Sequence, residues 1–331
     1  MSSALLVIVV VVALGFDFTN GFHDTANSIA TAIGSRALTP RTAVAIAAVA
    51  NLGGGFVTTA VATTVGKGLI NTGLATQQTI LAALIGAISW NLITWWLGLP
   101  SSSSHALIGG LVGAAIVQSG RRGVLWHGLA HKVVFPAILA PAIAFVAAFA
   151  TLVGLLWTFA RVHPGTANRS FRLGQIISSA WLSFSHGAND AQKTMGVIAL
   201  ALVLHRGGNP ASFGIPIWVK LAAGLAIGLG TYAGGWRIIR TLGQRIYSID
   251  APAGFAAQAT SGATIYLATR YGYPLSTTHV VSGAVMGAGA TRRLSAVRWG
   301  IAGNIVFAWL LTIPAAGLVA AALYWPVEGL F

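Results

Sequence analysis

The sequence predicts an all-α polytopic membrane protein. It reads as two inverted-topology repeats of about five membrane segments each, with broken helices and short hydroxyl-capped segments that either cross or re-enter. Three observations carry this. Of 331 residues, 56% are hydrophobic and only 7% are charged. Nineteen Lys and Arg with five Asp and Glu make 24 charges, where a soluble chain of this length would carry about 80, so no water-exposed surface can be assembled from them. Mean hydropathy is +0.79. Apolar segments run over 4–34, 41–65, 79–99, 101–119, 134–160, 172–204, 216–240, 252–270, 275–291 and 296–324, most near the ~20 residues a helix needs to cross about 30 Å of hydrocarbon. Finally, the two halves of the chain repeat each other.

Each element follows from these patterns. The first segment has no basic flank and no small-residue cleavage site, so it reads as a membrane segment and not a removed leader. Segments 4–34 and 172–204 are too long for one crossing and carry polar clusters midway, where a break is expected. Segments 101–119 and 275–291 are short and open on hydroxyl runs. Linkers are brief, and the one between the halves has about a dozen residues (161–172), so no soluble domain is inserted. Trp90, Trp95, Trp96, Trp157 and Trp325 near segment ends suit an interfacial belt.

The repeat is read from matched residues. Gly21 and Asp24 match Gly187 and Asp190, and the run Pro100–His105 matches Pro274–His279. Gly109 then matches Gly283, Gly113 matches Gly287, Trp126 matches Trp299 and Pro141 matches Pro314. This sets the halves at 1–165 and 166–331. If the short segment counts as a crossing, each half has an odd number of segments, which turns the second upside down relative to the first. With both termini outside, eleven arginines lie on the inner side against seven basic residues outside, the bias the positive-inside rule expects.

Composition also excludes. The net charge is +14, but the bases are scattered singly and in pairs, which is unlike a nucleic-acid surface. There are no cysteines, so disulfides and thiolate chemistry are absent. The five acids are Asp17, Asp24, Asp190, Asp250 and Glu328, and three of them fall in the polar clusters. Asp250, just before Pro252, reads as a helix cap, and Glu328 as solvated.

The first cluster runs from Asp17 to Ser28 and its partner from Ser183 to Thr194. Each has a glycine three residues before its aspartate, suiting unwound backbone at a cavity. An Asp at such depth costs about 2.5–3.5 kcal/mol on insertion scales. Asp24 and Asn27 are three apart and share a helix face, as do Asp190 and Lys193. With Asn189 these are candidates for a central site; interhelical packing is the plainer alternative. Asp17, His23, Asp24 and Asp190 are candidates for a coupling ion or proton. Lys193 either offsets anion charge, replaces a cation on one side, or snorkels.

The second pair of clusters is Ser101–His105 and Ser276–His279. Ser102, Ser103, Ser104, Ser276, Thr277 and Thr278 place hydroxyls and free N–H groups at helix N-termini, a ready anion site, beyond what capping alone requires. His105 and His279 read as braces at these starts. Carboxylates, hydroxyls, amides and one lysine, with no thiolate and no His-rich metal box, suit phosphate. At neutral pH phosphate keeps a proton to offer a carboxylate, whereas sulfate has none. No organic cofactor is expected.

At these residues the sequence resembles the inorganic phosphate transporter (PiT) family, which carries duplicated G-x-N-D-x-x-N signatures and paired P-x-S-[ST]-[ST]-H segments. Here they read GFHDTANSIAT and SHGANDAQKTMG, then PSSSSHALIGG and PLSTTHVVSG. The resemblance spans essentially the whole chain. It implies an inverted-repeat symporter in the cytoplasmic membrane that holds phosphate between the broken helices and the hydroxyl-opened segments, and a homodimer. Bacterial relatives imply coupling to protons, often with phosphate as a neutral complex with a divalent metal; animal relatives imply sodium. His23 replaces the usual Asn, as in proton-coupled bacterial relatives, and Lys193 replaces the last Asn of the second signature. Asn51 and Gln258 stand where animal relatives have glutamates, which weighs against sodium coupling by the animal scheme.

The reading is therefore a secondary active transporter of inorganic phosphate, with another oxyanion such as sulfate as the alternative cargo. An intramembrane hydrolase is disfavoured, because each Ser-His pair is adjacent in sequence and no G-x-S-x-G elbow appears. A passive channel is disfavoured by ionisable groups in both clusters.

Overall fold

The computed structural model describes residues 3–207, 213–247 and 249–331. Among these the chain is helical, and each half lays down six helices in the same order. The first half has α1 (Ser3–Gly34), α2 (Pro40–Gly54), α3 (Ala60–Lys67), α4 (Gln77–Leu97), α5 (Ser103–Ser119) and α6 (Trp126–Thr158). The second has α7 (Pro164–His205), α8 (Ile217–Ala233), α9 (Trp236–Arg240), α10 (Ala251–Arg270), α11 (Thr277–Ala290) and α12 (Trp299–Leu330).

Four of these helices are long and apolar enough to cross a membrane: α1, α4, α6 and α12. The bent pair Ile217–Ala233 and Trp236–Gly243 makes a fifth. The remaining segments of the ten read from sequence are too short by this measure or, like α7 and α10, carry polar residues through their middle. At 17 and 14 residues, α5 and α11 reach about 26 and 21 Å, short of the hydrocarbon thickness. The outer surface is bare hydrocarbon, with Val7, Val11, Ile138, Leu310 and Leu318 exposed. A chain with this exterior and these spans is a multi-pass membrane protein.

The expected breaks lie elsewhere. α1 is one helix of 32 residues and α7 one of 42, with no interruption at Gly21 or Gly187. These glycines serve close approach instead. A Cβ at Gly21 would lie 2.4 Å from the carbonyl of Ile227 on α8, and one at Gly187 would lie 2.1 Å from that of Asn51 on α2. Asp24, Asn27, Asn189 and Lys193 find partners on other helices without any unwinding of the backbone. The chain breaks instead between α2 and α3 (residues 55–59) and at Gly234-Gly235, where the axis turns by 62°. Gly234 has φ +75°, which glycine adopts at little cost.

Two apolar cores flank the polar middle. One takes Leu5, Val9 and Phe16 from the start of α1, with Met195 and Ile198 from the later part of α7. The other takes Ile29 and Ala30 from the end of α1, with Leu182 from the earlier part of α7. The two long helices therefore run between the same cores in opposite directions, and their polar stretches fall between them.

The halves interlock. α5 packs on α12, and α11 packs on α6, each against the last helix of the other half. The glycines matched in sequence make both seams. Cβ atoms at Gly109 and Gly113 would lie 2.4 and 2.1 Å from the carbonyls of Ile313 and Gly317. At Gly283 and Gly287 they would lie 2.4 and 2.1 Å from those of Pro141 and Phe145. Small residues at this spacing let helices approach closely where lipid gives no hydrophobic drive between them.

Other expectations resolve locally. Asp250 caps α10, accepting from Ala253 N at 3.0 Å, and pairs with Arg292, which holds that guanidinium above its ordinary value. Glu328 sits exposed in the last turn of α12. Trp96, Trp157 and Trp325 are exposed, but Trp90 donates to Thr312 on α12 and Trp95 packs on Phe22, so these two face inward.

Gly113→Val should destabilise the protein by about 1–3 kcal/mol through overpacking, read as a fall in melting temperature of the detergent-solubilised protein. Gly154→Ala, on an open face of α6 with nothing within 4 Å, should be neutral or slightly stabilising. Equal behaviour of the two variants would refute the seam.

Candidate functional site

The site forms where α1 and α7 lie against each other and the starts of α5 and α11 are brought to them. From residue 182 to 201 nearly every α7 side chain is buried, so each polar group there needs a partner within the protein.

On the α1 side, Asp24 is the hub. Its Oδ1 accepts from His23 Nδ1 at 2.8 Å and from Thr278 Oγ1 at 3.3 Å. Asn27 Nδ2 donates to Thr278 Oγ1 at 2.9 Å and to Thr277 Oγ1 at 3.3 Å. His23 Nε2 lies 3.0 Å from Thr94 Oγ1 and 3.4 Å from Ser101 Oγ.

On the α7 side, the hub is Asp190. Lys193 Nζ donates to Asp190 Oδ1 at 2.6 Å, to the carbonyl of Leu275 at 2.9 Å, and to Ser104 Oγ. Ser104 Oγ also reaches the Leu275 carbonyl at 3.2 Å, so α5 and the residues before α11 are tied through one lysine. Asp190 Oδ2 faces His186 Nε2 at 3.4 Å. His186 Nδ1 is 2.8 Å from Asn51 Oδ1, an acceptor, while Asn51 Nδ2 donates to Thr231 Oγ1 at 2.9 Å. With Asn51 in this orientation Nδ1 carries the proton, a tautomer that leaves Nε2, on the Asp190 side, able to take a proton or a cation.

The two halves meet at this point. One ligand atom each from Asp24, His186 and Asp190 lie within 4.8 Å of one another. Two carboxylates and an imidazole lone pair at that separation suit a divalent ion.

The hydroxyl runs contribute in two ways. Ser102 and Ser276 are N-caps, accepting from His105 N at 3.1 Å and His279 N at 3.2 Å. Their side chains are thus engaged, and what they offer an anion is an ordered helix N-terminus with orphan N–H groups. Ser103 Oγ is buried without a partner, as are Asn27 Oδ1 and Asn189 Oδ1. His105 and His279 meet edge to face at 4.7 Å, His279 stacks on Trp309 at 3.9 Å and its Nδ1 lies 3.3 Å from the Ala137 carbonyl. That is a brace.

The sequence candidates are not all in one place. Asp24, Asn27, Thr277 and Thr278 form one group, and Asp190, Lys193 and Ser104 the other. Asn189 points to the end of α10, donating to Thr269 Oγ1 at 2.8 Å and the Tyr273 carbonyl at 3.0 Å. Asp17 is fully buried, with Asn20 and Thr194 as the polar side chains beside its carboxylate. Sequence reasoning missed His186 and Thr94 as site residues. His186 was within reach of it, since four residues before Asp190 is the same helix face; Thr94 lies outside both polar clusters, and nothing in its own segment ties it to them. Asn51 and Gln258 form neutral networks, Gln258 with Ser178 and the Ser28 carbonyl.

Buried carboxylates on two oppositely directed helices, facing two helix N-termini inside a multi-pass membrane protein, suit a carrier of small ions. Residues 20–320 match the family model described as "Phosphate transporter family". Over 326 residues the chain is 53% identical to a Mycobacterium bovis protein named "Probable low-affinity inorganic phosphate transporter", covering 97% of this chain and 77% of that one. Proteins of the same name from Rhizobium meliloti and Bacillus subtilis are 47% and 42% identical, covering 97% and 98% of those proteins and 98% and 99% of this one. A solved structure titled "The sodium-dependent phosphate transporter" aligns with TM-score 0.92 and 27% identity, over 99% of this chain and 100% of that one. The chain belongs to the phosphate transporter family.

Asn51→Leu strips His186 Nδ1 of its acceptor and should cost about 1–3 kcal/mol for the orphaned group, read as a lower melting temperature. An unchanged value would show that this tautomer is held by something else.

Proposed function

We propose that this chain is a symporter that moves inorganic phosphate across the cell membrane together with a cation, in the first instance a proton. The observation that supports it most is the convergence of Asp24, His186 and Asp190 at the meeting point of two hydroxyl-opened helix N-termini. N–H groups and hydroxyls suit the phosphate oxygens. The carboxylates favour an anion that still carries a proton to share and disfavour sulfate, which has none, a repulsive element of specificity.

In this reading phosphate sits among Asn27, Ser103, Ser104, Thr277, Thr278 and Lys193, with Ser102, Ser276 and Asn189 ordering the surrounding helix ends. Asp24, Asp190, His23 and Asp17 receive the coupling ion or proton. Where phosphate travels as a complex with a divalent metal, Asp24, His186 and Asp190 are its ligands. Neutral Asn51 and Gln258 favour proton over sodium coupling. Residues 1–165 and 166–331 act as inverted repeats, as the opposite courses of α1 and α7 suggest, with both termini outside. One bundle then rocks against the other to alternate access. A homodimer in the cytoplasmic membrane completes the proposal.

Radiolabelled phosphate uptake into proteoliposomes tests this. A proton gradient should drive accumulation, and excess sulfate should leave it untouched. Asp24→Asn and Asp190→Asn should each lower uptake by about 100-fold, as loss of one partner of a buried charge pair near 3 kcal/mol implies, in protein that stays inserted and monodisperse. Normal uptake in both variants would sink the assignment. Accumulation driven by sodium alone would overturn the proton, and competition by sulfate would overturn the cargo.

A further inference from the structure

The halves make matched hydrogen bonds. His23 on α1 lies 3.0 Å from Thr94 on α4, and its counterpart Asn189 on α7 lies 2.8 Å from Thr269 on α10. Asn27 donates to Thr278 at the start of α11, and its counterpart Lys193 donates to Ser104 at the start of α5. The scaffold is therefore the same on both sides, and at one matched position the two halves differ by a full charge. The first half has the amide of Asn27 beside Asp24. The second has the ammonium of Lys193 beside Asp190.

The surroundings of Lys193 are those of an ion. Its side chain is buried, and Nζ has three N–H groups for three oxygens: a carboxylate (Asp190 Oδ1), a hydroxyl (Ser104) and a main-chain carbonyl (Leu275). Carboxylate, hydroxyl and carbonyl oxygens are the donors a small hard cation takes. The three come from three separate parts of the chain and converge on one point. In the first half the matched amide supplies no charge, and Asn27 Oδ1 is left without a partner.

We propose that Lys193 is a tethered cation: as part of the chain, its ammonium fills the position beside Asp190 that a mobile coupling cation would otherwise occupy. The second half then contributes a fixed positive charge, and the cation that travels is bound by the first half alone. This rests on the symport reading above and narrows it: Asp190 is answered by the chain's own ammonium, which leaves the travelling cation to Asp17, His23 and Asp24.

Lys193→Asn installs the residue that the first half has at the matched position, and so opens the site to a free ion. Phosphate accumulation is measured in proteoliposomes at clamped membrane potential, with and without a tenfold inward sodium gradient. Wild type sets the baseline. In K193N the sodium gradient should raise the steady-state accumulation ratio by about a further tenfold, since each ion coupled multiplies the ratio by its own gradient. A ratio that sodium moves no more in K193N than in wild type overturns the proposal.

Melting temperature in sodium chloride against choline chloride gives a readout without transport. Sodium should stabilise K193N more than wild type, and equal responses overturn the proposal. If K193N is misfolded in choline, recovery of monodisperse protein in sodium supports the tethered cation, and misfolding in sodium, lithium and potassium alike overturns it. Absence of phosphate accumulation by wild type under any gradient would instead count against the symport reading, and the melting comparison would still judge Lys193.

Discussion

A charge buried away from water must be answered inside the protein, and the middle of this fold is arranged around that requirement. Asp190 and Lys193 answer each other on one helix, but the lysine has two further N–H groups to place. They reach Ser104 and the Leu275 carbonyl, which draws the start of α5 and the chain before α11 onto α7. Asp24 makes the same demand from α1 and draws Thr278 of α11 to it. The short helices stand where they do because their N-terminal ends are the nearest supply of hydroxyls, N–H groups and positive dipole.

That arrangement needs the long helices close to their neighbours, and here glycine does the positioning. Gly21 and Gly187 bring α1 against α8 and α7 against α2 at separations no side chain would permit. Asn51 then reaches both His186 and Thr231, so the packing that admits α2 also sets the imidazole facing Asp190. Packing and chemistry share residues, which is why an apolar seam and a polar network run side by side through one helix pair.

Much of this was legible in the sequence, and the reasons differ by residue. Gly109 and Gly113, like Gly283 and Gly287, each make a helix seam, and their four-residue spacing signalled it because small residues one turn apart let a neighbouring helix approach. The hydroxyl runs reported helix starts, because capping is local chemistry. The breaks were misplaced because a glycine near an aspartate looks alike whether it unwinds a helix or lets a neighbour approach; the difference lies in Ile227 and Asn51, far away in sequence. His186 was passed over for a similar reason. Its i,i+4 spacing from Asp190 is a local signal, but the Asn51 side chain that orients the ring is 135 positions away. Asn189 followed the signature in sequence but turns toward Thr269 and the Tyr273 carbonyl, partners that lie about 80 positions further along the chain.

Stability does not account for keeping these groups. Replacing a buried ion pair with well-packed apolar residues is often neutral or stabilising, and both cores of this protein are made of such residues. Packing alone would favour leucine or alanine at 24, 190 and 193. It would favour the same at Asp17, whose carboxylate is wholly buried with only the neutral side chains of Asn20 and Thr194 beside it. The cost is sustained at four positions on two helices, and its distribution is uneven: Asp190 has a permanent countercharge, whereas Asp17 and Asp24 do not. An assembly built only to hold itself together would have neutralised all three acids in the same way. One that must take up and release charge has reason to neutralise one and leave the others to be answered by what it carries.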